Sequence, residues 1–356
     1  MSILYKISRQ PVLQQKVYET KKEAEQCPTG DIALIQSSVT GIVSNVLFDS
    51  SKVVYDESYA CNQSVSESFK KHIDNVEVLL RSYIECKKIV EVGCGKGFFV
   101  EFLRSRNYDA IGFDKTYDGQ ESYIYKSFFE KESGVRGDIL ILRHVLEHIQ
   151  DPVSFLDSLS EINGRQGLIY IEVPCLEWIL ENRTFFDITY EHVNYFTIAN
   201  FISMFADVRD IGHCFNGQYI YVIADLASLR STPFEDIKPI FFPVDFLSNI
   251  SNHIDKFISS DTTKAAIWGA AGKGVQYAVA IQHMLEEKGL KGGVTLAIDN
   301  NPAKQNHYLA GSGARVISPD EALQILKPGS NIVIMNPNYE MEIRERTQNK
   351  YQYSFA

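Results

Sequence analysis

The sequence predicts an α/β chain with two separate parallel-sheet units, and three observations lead there. Ile89-Val-Glu-Val92 is a β-branched run of the kind buried in parallel sheets; Gly93-Cys-Gly95-Lys-Gly97 and the helical spacing of Phe98 to Leu103 follow it. Strand-like and helix-like runs alternate from residue 86 to about 226, the pattern of a sheet with helices on both faces. A second start of the same kind recurs at Ala265-Ala-Ile-Trp268, followed by Gly269-Ala-Ala-Gly272-Lys273-Gly274 and a further helix.

Four segments follow in order. Residues 1–85 carry short strand-like runs, Ile32 to Ile35 and Ile42-Val43, and end in a helical pattern from Phe69 to Leu80. Residues 86–226 hold the first glycine loop, a second strand Ala110 to Phe113, a strand Asp138 to Leu142 and a fifth strand Leu168 to Pro174. Residues 227–262 form a connector with Pro233, Pro239 and Pro243, then an amphipathic helix from Phe246 to Ile258. Residues 263–356 repeat the strand–glycine–helix start, with strands Val294 to Ile298 and Asn331 to Met335.

At 356 residues the chain has room for two or three domains with their own cores. A hydrophobic content of 45% with 22% charged residues is that of a globular protein. The net charge of −10 and the lack of any basic run argue against a nucleic-acid partner. With no secretory h-region at the start and no apolar run of spanning length, the expected compartment is the cytoplasm, away from membranes. The six cysteines are scattered without a C-x-x-C pair, so neither structural zinc nor a disulfide framework is expected.

Glycines at a strand-to-helix turn permit positive φ and let a ligand approach the backbone, where free helix N–H groups wait. Glu91 lies inside the strand, two residues before Gly93, where a carboxylate needs a partner. Asp114 ends the second strand, seventeen residues after Gly97, placed to accept hydrogen bonds from ribose hydroxyls. The strand Asp138 to Leu142 runs into Arg143-His144-Val-Leu-Glu147-His148. Together these resemble class I S-adenosylmethionine-dependent methyltransferases, with their E-x-G-x-G-x-G loop. The resemblance implies a Rossmann-like methyltransferase domain that binds S-adenosylmethionine through Glu91, Gly93, Gly95, Gly97 and Asp114, with His144 packing on the cofactor. A dehydrogenase is disfavoured because the loop reads G-x-G-x-G rather than G-x-G-x-x-G. For Glu147 and His148, helix-end interactions are the preferred explanation.

The stretch Phe185-Phe-Asp187-Ile-Thr-Tyr190-Glu191-His192-Val-Asn194-Tyr195-Phe196 follows the fifth strand, near the edge where open α/β sheets bind ligands. It is dense in groups that move or hold protons. His192 has the ordinary pKa of a base at neutral pH, with Glu191 as its orienter or substitute. If the acceptor is a carbon next to a ketone, Tyr190, Tyr195, Tyr55 or Tyr59 can donate a hydrogen bond to the enolate oxygen. If it is a hydroxyl, His192 serves as the same base, and the sequence does not separate the two cases.

The Glu-His-x-x-Tyr-Phe pattern, the preceding Glu172-Val-Pro174, and the C-terminal runs Gly269 to Gly274, Ile298-Asp-Asn-Asn-Pro-Ala-Lys-Gln305 and Asn336-Pro-Asn-Tyr339 sharpen the resemblance. They are similar to the sugar C-methyltransferases, which methylate carbon 3 of nucleotide-linked 4-keto-deoxysugars. This implies a small N-terminal domain covering the acceptor, with Tyr55 and Tyr59 near it, and a second Rossmann-like domain at the C-terminus. The sequence departs from that family where Ser37, Thr40 and Gly41 stand in place of a zinc-binding C-x-x-C-G. Lys273 beside the second glycine loop can hold a phosphate of the acceptor; the alternative is a degenerate turn that binds nothing. An O- or N-methyltransferase, or a binding protein on the same fold, remain the other readings.

Overall fold

The computed structural model describes residues 2–54, 66–85, 87–230, 237–258, 261 and 263–356; Tyr55 and Tyr59 lie outside the described residues. Three sheets organise the chain. The central one has seven strands in the order Val208–Cys214, Tyr219–Asp225, Leu168–Pro174, Ile139–Arg143, Lys88–Val92, Asp109–Phe113 and Ile124–Tyr125. The five from Leu168–Pro174 onward run parallel, and Tyr219–Asp225 enters antiparallel beside Leu168–Pro174.

The parallel strands are buried on both faces, which is why Ile139 to Leu142 and Ile169 to Val173 read as unbroken apolar runs apart from Glu172. One face is covered by the helix Glu67–Ile84, whose Phe69, Ile73, Val76, Leu80 and Ile84 pack on Ile89, Ile139 and Tyr170. That helix, grouped with the first segment on sequence, therefore packs as part of the central layer. Ser66 caps it, accepting from the Phe69 N–H.

The C-terminal sheet also has seven strands: Gln352–Phe355, Asn331–Ile334, Ala265–Trp268, Leu296–Ile298, Arg315–Ile317, Tyr308–Leu309 and Val17–Tyr18. The first five are parallel. The last strand comes from the N-terminal segment, with Tyr18 paired to Tyr308.

The N-terminal sheet is antiparallel: Tyr5–Pro11, Thr29–Gln36, Val43–Asn45 and Asn194–Tyr195. Its fourth strand is borrowed from the stretch that carries Glu191 and His192, and pairs Asn194 with Ser44 and Tyr195 with Val43. The first segment is thus hydrogen-bonded into both other units. A shared core makes the same link through Ile32, Leu34 and Val43, the loop residues Phe185, Phe186 and Tyr190, and Tyr277 and Ile281 of the helix Gly272–Glu287. Full burial of each such side chain contributes roughly 1.5–3 kcal/mol.

The turn at Ser37 is closed by its own hydrogen bonds. Ser37 Oγ accepts from the N–H groups of Val39 and Thr40, and the Ser37 carbonyl accepts from Gly41 N–H at 2.9 Å. Cys27, Cys94, Cys175 and Cys214 are free thiols. Among the described residues no helix is long and apolar enough to cross a membrane.

Candidate functional site

The glycine loop joins the strand Lys88–Val92 to the helix Phe98–Ser105. Gly97 caps that helix at φ 84°, and a Cβ there would stand 2.2 Å from Ile124 Cδ1. Only glycine meets both demands. A Cβ on Gly93 would meet Val145 Cγ2 at 2.5 Å, which places the His144–His148 segment directly against the loop. At Gly95 a Cβ would meet nothing within 4 Å.

Asp114 turns back onto this loop. Its Oδ2 accepts from Gly95 N–H at 2.8 Å, and its Oδ1 from the N–H and hydroxyl of Thr116. Glu91 is buried with Oε2 unpartnered, and burial pushes its carboxyl up to about 7 against the attraction of Arg143. Burial likewise raises the Cys94 thiol.

The second glycine loop repeats this geometry: Gly269 N–H donates to Ile298 O at 2.8 Å as Gly93 does to Phe113 O, and Ala270 N–H donates to Asp299 Oδ2 at 2.8 Å. Its mouth is filled by protein. A Cβ on Gly272 would stand 2.0 Å from Gln14 Oε1. Lys273 reaches across to the central unit, where its ammonium pairs with Asp187 Oδ1 and lies 5.5 Å from the Trp178 and Phe186 rings. Burial lowers the Lys273 pKa against this pairing.

At the carboxyl edge of the central strands, Glu172 is fully buried among cations and donors. Tyr170 donates to its Oε2 at 2.6 Å, while His72 Nε2, His144 Nε2 and Arg143 Nη2 stand 3.0, 3.1 and 3.4 Å from Oε1. Against the cost of burial, Arg143 first and then the two histidines hold its carboxyl well below the ordinary range. His144 sits at φ 54° with its ring against Tyr219. Its Nδ1 is 3.4 Å from Glu147 Oε1, and these two carboxylates overcome desolvation to raise its imidazole to about 9. His144 is thus a charged member of a buried network beside the loop.

The Glu191–His192 stretch docks on the same segment. Asn194 Nδ2 donates to Ile149 O, and His148 Nδ1 donates to Glu191 O at 2.9 Å. His192 is partly buried, its ring edge-on to His148 at 5.0 Å, with Gln14 Nε2 at 3.3 Å from its Nε2 and its Nδ1 buried without a partner. Burial, then the nearby His148, pushes its pKa down to about 3, with Glu147 acting in the opposite sense.

The neighbours named with His192 on sequence are placed differently. Glu191 is buried, with Oε2 accepting from Gln14 N–H at 2.6 Å. Tyr190 accepts from Asp49 N–H at 2.9 Å, its ring packed on Phe48 and over Gly30. Tyr195 accepts from Thr189 N–H and donates to Thr189 O, and burial raises its phenol. These two hydroxyls have backbone partners that shape the loop.

Gln14, Glu147, Glu172 and His72 were not singled out as site residues on sequence. The His-x-x-Glu-His spacing after a sheet strand is the signal that points to Glu147. Nothing local marks Gln14, which lies 178 residues from His192.

Comparison with known proteins identifies the central unit. Residues 65–208 match the family described as "Methyltransferase domain". No curated protein sequence matches the chain. A SAM-dependent methyltransferase from Archaeoglobus fulgidus is similar at 19% identity and a TM-score of 0.33, over 45% of this chain and 100% of that one. The N-methyltransferase NodS from Bradyrhizobium japonicum WM9 is similar at 14% and 0.32, over 44% and 94%. The plantazolicin methyltransferase BpumL in complex with SAH is similar at 12% and 0.35, over 47% and 86%. Residues 65–208 thus carry a methyltransferase domain, for which the sequence leads one to expect S-adenosylmethionine as cofactor. The residues present fit that group: the space at Gly95 is open, Glu91 Oε2 is unpaired, and Asp114 Oδ2 keeps acceptor capacity beside the loop.

Proposed function

We propose that this S-adenosylmethionine-dependent methyltransferase methylates a carbon next to a ketone, on a nucleotide-linked deoxysugar. The observation that carries the reading is the position of the His192 imidazole, reached through Val145 and His148 from the glycine loop. Burial lowers its pKa below the ordinary value expected on sequence, so its action as a base depends on groups that favour its protonated form. Carbon methylation needs a group that takes a proton before the new bond forms. The Glu-His-x-x-Tyr-Phe pattern and the C-terminal runs, similar to the sugar C-methyltransferases, support the class of acceptor.

S-adenosylmethionine supplies a methyl group already activated on a sulfonium, so the protein has to position and deprotonate the acceptor. The loop around Gly95 and Asp114 would hold the cofactor. An amide nitrogen only donates, so Gln14 Nε2 makes His192 Nε2 the acceptor and leaves the ring proton on Nδ1. Nε2 then takes the proton from the carbon beside the ketone. The side-chain amide Nε2 of Gln14, next to that nitrogen, could turn its N–H toward the developing enolate oxygen. Tyr190 and Tyr195 hold the loop in register.

The test is incubation of the full chain with S-adenosylmethionine and a panel of nucleotide-linked 4-keto-deoxysugars, read by mass spectrometry and carbon NMR. One added methyl group on carbon is expected. A methyl on oxygen or nitrogen overturns carbon methylation, and failure with every ketosugar overturns the acceptor class.

A further inference from the structure

We infer that Glu147, rather than the adjacent Glu191, is the carboxylate that orients His192 and balances the imidazolium formed when it takes a proton. The inference rests on His192 being the base, and it makes Glu147 a positioning residue.

The geometry separates the two acids. The Glu191 carboxylate faces the N-terminal segment, accepting from Gln14 N–H at 2.6 Å. Glu147 stands on the other side, 1% exposed, directly after the strand that flanks the glycine loop. One of its oxygens lies 3.4 Å from His144 Nδ1, and the other, Oε2, is buried without a hydrogen-bond partner. One ligating atom each of Glu147, His148 and His192 lie within 4.8 Å of one another. His148 is fixed there by its Nδ1–H bond to Glu191 O.

The tautomer completes the arrangement. With Gln14 donating to Nε2, the proton of neutral His192 sits on Nδ1, itself buried and unpartnered. An unsatisfied N–H and an unsatisfied carboxylate oxygen on two residues of one cluster are complementary in hydrogen-bonding capacity. A protonated His192 would otherwise be hard to sustain, because His148, His144 and Lys273 all oppose its charge. Glu147 is the acid that favours it. Tyr195 faces the ring edge-on and Gln14 its Nε2.

The test uses the full-length chain with ¹⁵N-labelled histidine, the His192 signals being identified by their loss in His192→Gln. At neutral pH the wild type should show the Nδ1–H tautomer. Glu147→Gln should shift the His192 Nδ1–H signal, because the carboxylate that favours it is lost, while Glu191→Gln should leave that signal in place. Should Glu147→Gln fail to fold, Glu147→Asp keeps the charge, and its His192 should hold the Nδ1–H form. With an accepted ketosugar, Glu147→Gln should lower kcat by on the order of 10²–10⁴-fold at unchanged cofactor affinity, the scale seen for acid–base and orienting groups. An unmoved Nδ1–H signal in Glu147→Gln, or an Nε2–H tautomer in Glu147→Asp, overturns the inference. So does one divalent ion per chain bound through Glu147, His148 and His192. The tautomer readout needs no acceptor, so it stands or falls independently of the proposed sugar.

Discussion

Gln14 Nε2 stands 3.3 Å from His192 Nε2, joining an amide of the N-terminal segment to an imidazole of the methyltransferase domain. The same side chain occupies the space left by Gly272, where a Cβ would come 2.0 Å from Gln14 Oε1. Gly272→Ala should therefore press Gln14 off the second glycine loop. The atom displaced ends a flexible side chain, so stability should change little while kcat falls. Steady-state rates and thermal melts of this variant check both halves, and an unchanged kcat would count against a role for Gln14.

Removing the base should be far more severe. His192→Ala is expected to depress turnover by on the order of 10²–10⁴-fold, the usual contribution of a general base. Cofactor affinity, measured by calorimetry, should remain near the wild-type value, because the loop and Asp114 contact each other rather than His192.

Asp114→Ala acts at the opposite end of the site. It removes the acceptor of the Gly95 N–H together with the acid expected to meet the ribose. S-adenosylmethionine binding should weaken by roughly 1–3 kcal/mol, the range for a lost hydrogen bond to a charged group. Calorimetry on Asp114→Ala and Asp114→Asn should rank wild type, Asn, Ala in order of falling affinity.

The pair Lys273–Asp187 ties the C-terminal domain to the loop that carries His192, with side-chain exposures of 18% and 11%. Breaking a buried pair from one side strands the other charge, at about 3–5 kcal/mol. Asp187→Ala should lower the urea midpoint accordingly. The double variant Lys273→Met/Asp187→Leu should recover a large part of the loss, since replacing both charges leaves no ion unpaired.

Stability should fall on the alkaline side through His144. Its imidazole is raised from 6.5 to about 9 in the folded chain. A group raised in this way stabilises fully below its unfolded value and loses the contribution as pH rises through its folded one. Glu91, at about 7, is only half through its change at the start of this window and adds to the fall. So do the thiols of Cys27, Cys94, Cys175 and Cys214, raised by burial, while Lys273, lowered by burial, works in the opposite direction. Urea midpoints should thus decline between pH 7 and about 9.5, and His144→Gln should flatten that decline.

The sequence by itself determined the local architecture. The β-branched run before Gly93, the glycine triplet and the helical spacing from Phe98 needed only short-range rules, and the strand and helix stand at 88–92 and 98–105. The same holds for the strand Leu168–Pro174 and for the second start at Ala265–Trp268. The shape of the His192 environment was decided by tertiary structure. Glu191 is next to His192 in the chain, but its carboxylate accepts from the backbone N–H of Gln14. The acid clustered with the imidazole is Glu147, brought there because residues 185–196 dock on the end of a central strand. Gln14 arrives because Asn194–Tyr195 completes the N-terminal sheet and Val17–Tyr18 completes the C-terminal one. Such pairings depend on the N-terminal sheet, the 185–196 loop and the C-terminal unit packing around one shared core, and no periodicity within a single segment encodes them.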